Sequence, residues 1–393
     1  MSFPSFPSFP SVSSLQGPSA SHPLSPYGWD DAWAAEFAPY AEQGLLPGRV
    51  VRVDRGQCDV VTPSGTLRAD TAFVVPRDPM RIVCTGDWVA VDPDGDPQFV
   101  RTLLPRRTAF VRSTSSQRSE GQVLATNVDH IVICLSLAVE FDLGRVERFL
   151  ALAMSSSSGA ALLRDGGPAG DGVAEPIVVL TKADLVPDAA TLSYLVQDIE
   201  GVAPGVQVLT VSSATGEGID VFSAVVSGGT SVLLGASGAG KSTLANTLLG
   251  RDVMEVQAAR DVDGKGRHTT TTRNLLVLPS GGVLIDTPGL RGVGLWDAET
   301  GVGQVFSEIE ELAEQCRFHD CAHETEPGCA VLAAIEDGSL HERRLDSFRK
   351  LLRENQRIAA KTDARMRSEM LRDWKRKGAE GRFAMEAKRG RVR

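Results

Sequence analysis

Short apolar runs separated by turn residues dominate the chain from Gly48 to about Val111. The runs RVVRVD, QCDVVT, RIVC and DWVAV are rich in β-branched residues, and turn signals such as PSG and DPDGDP stand between them. This pattern predicts short β-strands rather than helices. Five or so strands in roughly 60 residues are typical of an OB-type β-barrel, a fold that often binds nucleic acid, although many such barrels bind only protein. We assign residues 47–113 to this barrel.

The pattern changes after the barrel, where apolar strands alternate with segments of helical periodicity. Strands such as VDHIVICLSL, PIVVLTKADL, VQVLTVSS and TSVLLGASG are separated by helical segments such as GRVERFLALAM and AATLSYLVQDI. This alternation predicts a parallel sheet with helices on both faces. We assign residues 114–302 to this α/β domain. Residues 155–175, which are rich in Ser and Gly and lack periodicity, are expected to form a flexible surface insertion.

The two ends of the chain differ from its middle. Residues 1–46 begin with a repeat of Ser, Pro and Phe, so we expect a largely disordered extension, with a short helix at 29–40 and order beginning near Pro47. Residues 341–393 carry 18 Lys and Arg against 8 Asp and Glu, a net charge of +10, whereas residues 1–340 carry −19. Such a basic tail indicates either a solvated amphipathic helix, which charge alone favours, or a surface for nucleic-acid phosphates.

Length and composition narrow the class of protein further. A chain of 393 residues with 42% hydrophobic residues can bury several cores, so we expect a multidomain protein. No run approaches the about 18 apolar residues that a membrane span needs, and the N-terminus lacks the features of a secretion signal. We therefore expect a cytoplasmic protein without a membrane partner. In that reducing compartment the six cysteines should not form disulfides, and the three that crowd into 316–329 suggest a metal.

A phosphate-binding loop is the strongest chemical signal in the sequence. GASGAGKS at 235–242 satisfies the pattern G-x-x-x-x-G-K-[ST] between an apolar strand and a helical segment. Glycines let backbone N–H groups wrap the β-phosphate, Lys241 can bridge the β- and γ-phosphates, and the Ser242 hydroxyl can ligate Mg²⁺. The alternative is a chance Gly-rich turn. The predicted nucleotide contacts here are Gly235, Ser237, Gly238, Ala239, Gly240, Lys241, Ser242 and Thr243.

Two motifs that follow the phosphate loop have the character of nucleotide switches. VLIDTPG places Asp286 at the end of an apolar strand, where its carboxylate can hold the water shell of Mg²⁺, and Gly289 where its N–H can meet the γ-phosphate. GKGRHTTTTR at 264–273 lies between the two, and a threonine among 269–272, assigned to Thr270, could complete the Mg²⁺ coordination. The alternative for this segment is a plain polar loop. The succession of motifs indicates a switch-bearing NTPase.

The base is predicted from LTKADL, which precedes the phosphate loop. Asp184 can accept both N1–H and N2–H of guanine, a contact that adenine does not offer, and the stem of Lys182 can stack over the base. Thr181 stands where most GTPases have Asn, so whatever bracing the amide provides must come from a hydroxyl or be lost. In VSSATGEG at 211–218, Ser213 and Ala214 follow an apolar strand and could read guanine O6 with a backbone N–H. A helix-capping turn is the alternative for T-K-x-D.

The motif order is guanine loop, guanine-supporting loop, phosphate loop, switch one and switch two. Ordinary GTPases have the phosphate loop first, so this order predicts a circularly permuted P-loop GTPase domain. A parallel sheet tolerates such a permutation because each loop emerges from the carboxyl edge of its own strand. The segment after Gly289 then runs directly into the C-terminal region, so a nucleotide-dependent movement can be passed outward.

The C-terminal region, 303–393, contains CRFHDCAHETEPGC. Cys316, Cys321, His323 and Cys329 form a Cys₃His set suited to one tetrahedral Zn²⁺ with no open position, which predicts a structural zinc site in a helical domain. Buried free cysteines are the alternative, and His319 is the rival histidine. The remaining cysteines, at 58, 84 and 134, lie in apolar runs typical of a core.

Together, the barrel, the permuted motif order, GRHTTT, DTPG and C-x4-C-x-H-x5-C resemble the small-ribosomal-subunit-dependent GTPase A family of bacterial ribosome assembly factors, over about residues 47–380. The resemblance implies GTP hydrolysis stimulated by the small subunit, with the GTP state controlling association and release. It also implies rRNA and ribosomal-protein contacts by both flanking domains, which favours an rRNA role for the basic tail. Thr181, the 155–175 segment and the long N-terminus depart from the family pattern.

Catalysis needs a group that orients the attacking water. Many GTPases use a Gln directly after D-x-x-G, but here that residue is Leu290, which cannot hydrogen-bond to water. His268, beside the switch threonines, is the predicted catalytic residue both by its chemistry and by the family resemblance. The alternative is that His268 only packs against the switch.

The predicted function is that of a monomeric, Mg²⁺-dependent GTPase that binds GTP and GDP. Two rival functions remain as alternatives. One is a GTP-sensing RNA-binding placeholder in which hydrolysis is incidental, which trapping on the subunit by a non-hydrolysable analogue would discriminate. The other is an ATP-using transporter or kinase-type enzyme, which Asp184 argues against.

Overall fold

The computed structural model describes residues 22–74, 81–113, 121–140, 142–158, 173–254, 273–286 and 298–362. These residues form a closed barrel, a two-stranded ribbon, a six-stranded sheet with helices and a C-terminal helical region. The fold class predicted from the sequence is therefore confirmed. None of the helices in these ranges is long and apolar enough to cross a membrane.

The barrel contains five short strands that close on themselves in the order β1-β2-β3-β5-β4. Its strands are β1 (Leu46–Asp54), β2 (Gln57–Thr62), β3 (Gly65–Asp70), β4 (Trp88–Asp92) and β5 (Gln98–Leu103). The β3–β5 pair is parallel, whereas the other pairs in the barrel are antiparallel. Alternate residues of β2, Cys58 and Val60, are fully buried among the valines of the other strands. This period of two is what the sequence pattern predicted.

An N-terminal helix packs against the outside of the barrel. This helix, α1 (Asp31–Ala41), buries Trp33 against Trp88 of β4, with 5.8 Å between the ring centroids. The ordered structure therefore includes residues upstream of Pro47, where composition alone placed its beginning. The physical reason is tertiary, because the barrel surface covers an apolar helix face that residues 1–46 could not bury by themselves.

A two-stranded ribbon joins the barrel to the α/β sheet. Its strands, β6 (Ala109–Ser113) and β7 (Gly121–Thr126), are antiparallel. Phe110 and Leu124 are fully buried in the main core of the α/β domain. The predicted boundary between residues 113 and 114 thus falls between two paired strands, and β6 packs with the α/β domain rather than in the closed barrel.

The sheet has the order β10-β9-β8-β11-β13-β12. Its strands are β8 (His130–Ser136), β9 (Glu175–Thr181), β10 (Gln207–Val211), β11 (Thr230–Leu234), β12 (Leu275–Val277) and β13 (Val283–Ile285). All neighbouring pairs are parallel except β12 with β13. The carboxyl ends of β9, β10, β11 and β13 therefore meet at one edge.

Helices cover both faces of this sheet. They are α2 (Leu143–Ser158), α3 (Ala189–Val202), α4 (Ile219–Val225) and α5 (Lys241–Leu249). Successive residues of β8 enter different cores: Ile133 lies in the core that includes α2 and α3, and Cys134 in the one that includes α4 and α5. Burial on both faces explains why these strands read as continuous apolar runs.

Helix α2 runs to Ser158 and so extends into the segment predicted as a flexible insertion. Ser155 and Ser156 are buried, and their hydroxyls donate to the carbonyl oxygens of Ala151 and Leu152, one turn earlier. These bonds satisfy both hydroxyls inside the helix. Residues 159–172 lie outside the described ranges.

The C-terminal helices pack on the α/β domain. They are α6 (Glu299–Val305), α7 (Ser307–Ala313), α8 (Ala330–Glu336) and α9 (Glu342–Thr362). Glu147 of α2 is fully buried and accepts hydrogen bonds from Arg343 at 3.0 Å, Arg344 at 2.8 Å and Ser347. A buried carboxylate paired in this way ties α9 to α2. The predicted boundary between 302 and 303 falls inside α6.

Candidate functional site

The predicted nucleotide loops share the carboxyl edge of the sheet. The chain runs outward from the central strand β8 to β9 and β10, then crosses to β11 on the other side of β8. Such a reversal leaves a crevice at the carboxyl ends, which is where open α/β sheets bind their ligands. The loops after β9, β10 and β11 open onto this edge, and Asp286 directly follows β13.

The phosphate loop is shaped by its glycines. Gly235 has φ of 150°, and a Cβ there would lie 2.5 Å from the Cys134 carbonyl oxygen, so no other residue fits without a shift. Gly240 has φ of 82° and precedes the first residue of α5, Lys241. The Lys241 Nζ lies over the loop, 2.8 Å from the carbonyl oxygens of both Gly235 and Ala236. Loop and helix start together present N–H groups and a cation to an anion.

Two opposite charges are partly desolvated beside this loop. Burial raises the pKa of the Asp286 carboxyl to about 6, against the influence of the Lys241 ammonium. Burial also lowers the pKa of Lys241, although Cys134 and Asp286 oppose that shift. The Asp286 backbone is held by its N–H, which donates to the Asn274 carbonyl oxygen at 2.9 Å. The strand end thus keeps a carboxylate within the electrostatic reach of the phosphate-loop lysine.

The guanine loop is held in a tight turn. Lys182 has a left-handed backbone, with φ of 61° and ψ of 42°, and precedes the short 3₁₀ turn Ala183–Leu185. The Ser212 hydroxyl donates to Asp184 Oδ1 at 2.6 Å. Ser212 Oγ in turn accepts the N–H groups of Ala214 at 3.2 Å and Thr215 at 3.1 Å. Ser212 therefore fixes the Asp184 carboxylate relative to the loop that follows β10.

Ser212 is a residue that sequence reasoning missed. It is fully buried directly after β10, whereas the predicted Ser213 and Ala214 lie further along the same loop and are more exposed. The available signal was the buried end of the strand at Val211. A hydroxyl placed there had to find a partner inside the fold, and Asp184 is that partner.

The guanine loop also contacts the phosphate loop directly. Thr181 Oγ1 lies 2.8 Å from the Ala239 carbonyl oxygen and 3.2 Å from that of Leu135. Lys182 Nζ lies 3.1 Å from the Gly238 carbonyl oxygen. Thr181 is only 4% exposed, so its hydroxyl acts as an internal brace between the two loops. The bracing expected of an Asn amide is here provided by the threonine hydroxyl.

The remaining predicted residues divide into two groups. Ser237, Ser242 and Thr243 lie in the phosphate loop or the first turn of α5. The predicted site residues outside the described ranges are His268, Thr270 and Gly289.

The four predicted metal ligands come together in the C-terminal region. One donor atom from each of Cys316, Cys321, His323 and Cys329 lies within 4.8 Å of the others. Cys316 Sγ is 3.8 Å from Cys329 Sγ, and His323 Nδ1 is 3.6 Å and 3.4 Å from those two sulfurs. Zn–S bonds of about 2.3 Å at tetrahedral angles separate two sulfurs by about 3.8 Å. The donor set therefore fits Zn²⁺, and His319 is not among the donors.

Helix ends position these ligands. Cys316 follows α7, and Cys329 caps α8, where its Sγ accepts the Leu332 N–H at 3.5 Å. His323 takes a left-handed backbone with φ of 59°, and its carbonyl oxygen accepts a bond from Arg349 of α9. Four protein donors would fill a tetrahedral ion and leave no position for substrate, an arrangement typical of structural rather than catalytic zinc sites.

Comparisons with known proteins show which family and fold the chain resembles. The RsgA GTPase family profile matches residues 169–296. The small ribosomal subunit biogenesis GTPase RsgA of Streptomyces avermitilis is 75% identical over 380 residues, which cover 96% of this chain and 98% of that relative. The crystal structure of YjeQ from Thermotoga maritima has a TM-score of 0.55 at 24% identity, over 79% of this chain and 98% of that one. YloQ, a circularly permuted GTPase, has a TM-score of 0.54 at 22% identity, over 79% and 95% of the chains.

Proposed function

The chain belongs to the RsgA GTPase family, and on this premise we propose that it is a small ribosomal subunit biogenesis GTPase whose GTP state controls association with and release from that subunit. One observation carries the assignment of the site. Thr181 and Lys182 of the guanine loop contact the phosphate loop, at 2.8 Å from the Ala239 carbonyl oxygen and 3.1 Å from that of Gly238. This contact supports the proposal that the two loops bind the base and the phosphates of one nucleotide.

Guanine selectivity rests on Asp184. Its carboxylate accepts the N1–H and N2–H groups of guanine, while adenine presents an acceptor where guanine has N1–H. The Ser212 hydroxyl, 2.6 Å from Asp184 Oδ1, holds the carboxylate in the orientation that this contact needs. A backbone N–H at Ser213 or Ala214 is proposed to read guanine O6, and that of Ala214 would leave its contact with Ser212 Oγ to do so. ATP should bind poorly because adenine places its N1 acceptor against the Asp184 carboxylate and makes neither of the two N–H contacts.

The phosphates are bound by the loop 235–242 and the start of α5. Lys241 exchanges its carbonyl contacts for phosphate oxygens, which are stronger acceptors because they are charged. Ser242, Thr270 and Asp286 would hold Mg²⁺, which neutralises the phosphate charge when bound. Asp286 is ionised at neutral pH, since burial raises its pKa only to about 6. Gly289 is proposed to meet the γ-phosphate with its backbone N–H.

Hydrolysis requires a group that orients the attacking water. We assign this role to His268, because Leu290 in the usual glutamine position has no hydrogen-bonding atom. Slow turnover by the protein alone is expected, and binding of the small subunit is proposed to order His268 for catalysis. His268→Ala should abolish the stimulated rate while leaving GTP affinity unchanged. Equal stimulated rates in variant and parent would refute this role.

The flanking regions are proposed to bind the subunit. The basic C-terminal segment suits rRNA phosphates, and the barrel provides a second contact surface. The Cys₃His cluster is proposed to hold one structural Zn²⁺ that ties α7 to α8. We also propose that the protein acts as a monomer in the cytoplasm, where ribosomal subunits are assembled.

GTP hydrolysis measured with and without purified small subunits tests the proposed function. We expect slow turnover alone, a large increase with small subunits, no increase with large subunits, and no turnover in EDTA. ATP in place of GTP is the specificity control. A hydrolysis rate that small subunits leave unchanged would contradict the proposal. If a non-hydrolysable GTP analogue still traps the protein on the subunit, that result would favour the placeholder function.

A further inference from the structure

A turn of the barrel reaches the strand end that carries Asp286. Thr85, which is 2% exposed, lies in this turn, Cys84–Asp87, between the barrel and the α/β sheet. Its Oγ1 donates to the Arg273 carbonyl oxygen at 3.3 Å. The residue after Arg273 is Asn274, whose carbonyl oxygen accepts the Asp286 N–H at 2.9 Å. Two consecutive residues thus contact the barrel turn on one side and Asp286 on the other.

The barrel supports the same segment at a second point. Asn274 forms an isolated antiparallel bridge with Arg52 of β1. The strand β12 begins at the next residue, Leu275, which pairs with Ile285 of β13. Hydrogen bonding therefore continues from the barrel strand β1, through Asn274, to the strand that ends before Asp286.

The turn itself is rigidly held. Asp87 is 1% exposed and accepts two N–H groups of Arg106 and the Cys84 N–H, each at 2.7 Å. Gly86 has φ of 98°, and a Cβ there would lie 2.3 Å from the Thr126 carbonyl oxygen and 3.1 Å from Ile285 Cδ1. The turn therefore packs directly against the residue that precedes Asp286. A buried ion pair and a close glycine contact leave it little freedom to move.

We propose that the turn Cys84–Asp87 positions Asp286 for Mg²⁺ binding, with Thr85 as the positioning residue that acts through Arg273 and Asn274. The inference rests on the proposed function, in which Asp286 helps to hold Mg²⁺. It adds that the barrel, beyond its role as a binding surface, sets the geometry of the cation side of the nucleotide site. An event that displaces the barrel relative to the sheet then changes the Mg²⁺ requirement.

Thr85→Val tests this proposal, because it removes the hydroxyl and keeps the shape of the side chain. The readout is the Mg²⁺ concentration that half-maximally slows release of a fluorescent GDP analogue from the full-length protein. We expect this concentration to rise about three- to tenfold, the loss expected for one neutral hydrogen bond. In EDTA the release rate should equal that of the parent, and Thr85→Ser, which retains the hydroxyl, should restore the parental Mg²⁺ requirement.

Thr62→Val is the matched control. Thr62 is a buried barrel threonine whose Oγ1 donates to the Gly65 carbonyl oxygen at 2.8 Å, within the β2–β3 turn. It should leave the Mg²⁺ requirement unchanged even if it lowers the melting temperature of the barrel. Equal Mg²⁺ requirements for Thr85→Val, Thr62→Val and the parent would overturn the inference, as would failure of Thr85→Ser to restore the parental value.

The parent and Asp286→Asn separate this inference from the proposed function. If the parent responds to Mg²⁺ and Asp286→Asn does not, the cation role of Asp286 stands, and Thr85→Val alone decides the inference. A parent whose nucleotide release ignores Mg²⁺ would instead overturn the proposed cation site, and the inference with it.

Discussion

The nucleotide site and the Cys₃His cluster are assembled in opposite ways. The four metal ligands lie within residues 316–329, so their spacing alone brings them near one another. The proposed nucleotide site draws on four loop regions between Thr181 and Asp286, and the residues proposed to read guanine precede those proposed to bind phosphate. Spacing in the sequence therefore describes the cluster well, whereas only the strand order of the sheet explains why the nucleotide loops meet.

The two regions also differ in how their charges affect stability. In the nucleotide site, burial raises the pKa of Asp286 and lowers that of Lys241, so the ionised forms of both are penalised in the protein without ligand. The Cys₃His cluster could hold a metal ion without leaving an open position, and an ion bound in this way would stabilise the fold. Ligand binding in the nucleotide site should therefore offset the desolvation of Asp286 and Lys241, whereas ion binding in the cluster should complete the structure of the C-terminal region.

Cys329→Ala should have the largest effect of these variants, and that effect should be confined to the Cys₃His cluster and the helices around it. It removes one metal ligand and the cap of α8, so the metal content should fall from about one zinc per chain to almost none. The C-terminal helices should become less stable, because metal binding is coupled to folding. Metal analysis after gel filtration, together with thermal unfolding, measures both effects.

Cys58→Ala is the control for the metal measurement, because Cys58 is buried in the barrel outside the cluster. It should retain the zinc. The GTP affinity of Cys329→Ala should remain within about twofold of the parent. In the described part of the chain, the cluster and the nucleotide site share no contacting residues, and changes at such independent sites have little effect on one another. Full retention of zinc by Cys329→Ala would contradict the assigned ligand set.

Asp286→Asn should stabilise the nucleotide-free protein by up to about 3 kcal/mol at pH 7. The pKa of Asp286 is raised from 3.8 to about 6 by burial, so its ionised form costs stability above pH 6. That cost shrinks as the pH falls from about 6 to 3.8, and the gain from the variant should shrink with it. Urea unfolding at pH 7 and near pH 4 gives the two values.

Asp188→Asn is the control of opposite sign. Asp188 caps α3, and bonds from the Thr191 backbone and side chain lower the pKa of its carboxyl. Its replacement should not stabilise the protein at pH 7. If Asp286→Asn were no more stable than Asp188→Asn at that pH, the carboxylate at 286 would not carry the proposed desolvation cost.

Lys241→Ala should weaken GTP binding about 100-fold, the upper range for loss of charge-assisted hydrogen bonds to phosphate. Titration with a fluorescent GTP analogue measures the affinity. Lys350→Ala, on the exposed face of α9, is the matched control and should bind GTP like the parent. A small effect at Lys241 would show that the loop does not hold the phosphates.

Thr181→Val should weaken GTP and GDP binding about tenfold, because it leaves a buried carbonyl oxygen without its donor and loosens the contact between the two loops. Thr181→Ser keeps the hydroxyl and should bind like the parent. Calorimetric titration with both nucleotides measures the change. Parental affinity in the valine variant would mean that Lys182 alone joins the loops.

Several features of the fold were readable before the structure because their signals are local. The alternation in β2 identifies a barrel strand, and the continuous apolar run of β8 identifies a strand buried on both faces. The N-terminal helix was predicted at 29–40, but order was expected to begin only near Pro47, because the partner of the helix, Trp88, lies in another element. The end of α2 was misjudged for a similar reason, since Ser155 and Ser156 look like linker residues until the helix buries them.

By itself, the sequence determined which chemical groups this protein offers: a phosphate-loop motif, the Asp184 carboxylate, a Cys₃His set and the permuted order of the motifs. Tertiary structure alone decided how those groups are held. The pairs Ser212–Asp184, Thr181–Ala239, Thr85–Arg273 and Arg344–Glu147 are separated by 28, 58, 188 and 197 residues. Local patterns record which residue types a site needs, but a hydrogen bond between distant residues depends on how strands and helices pack, and that packing is a property of the whole chain.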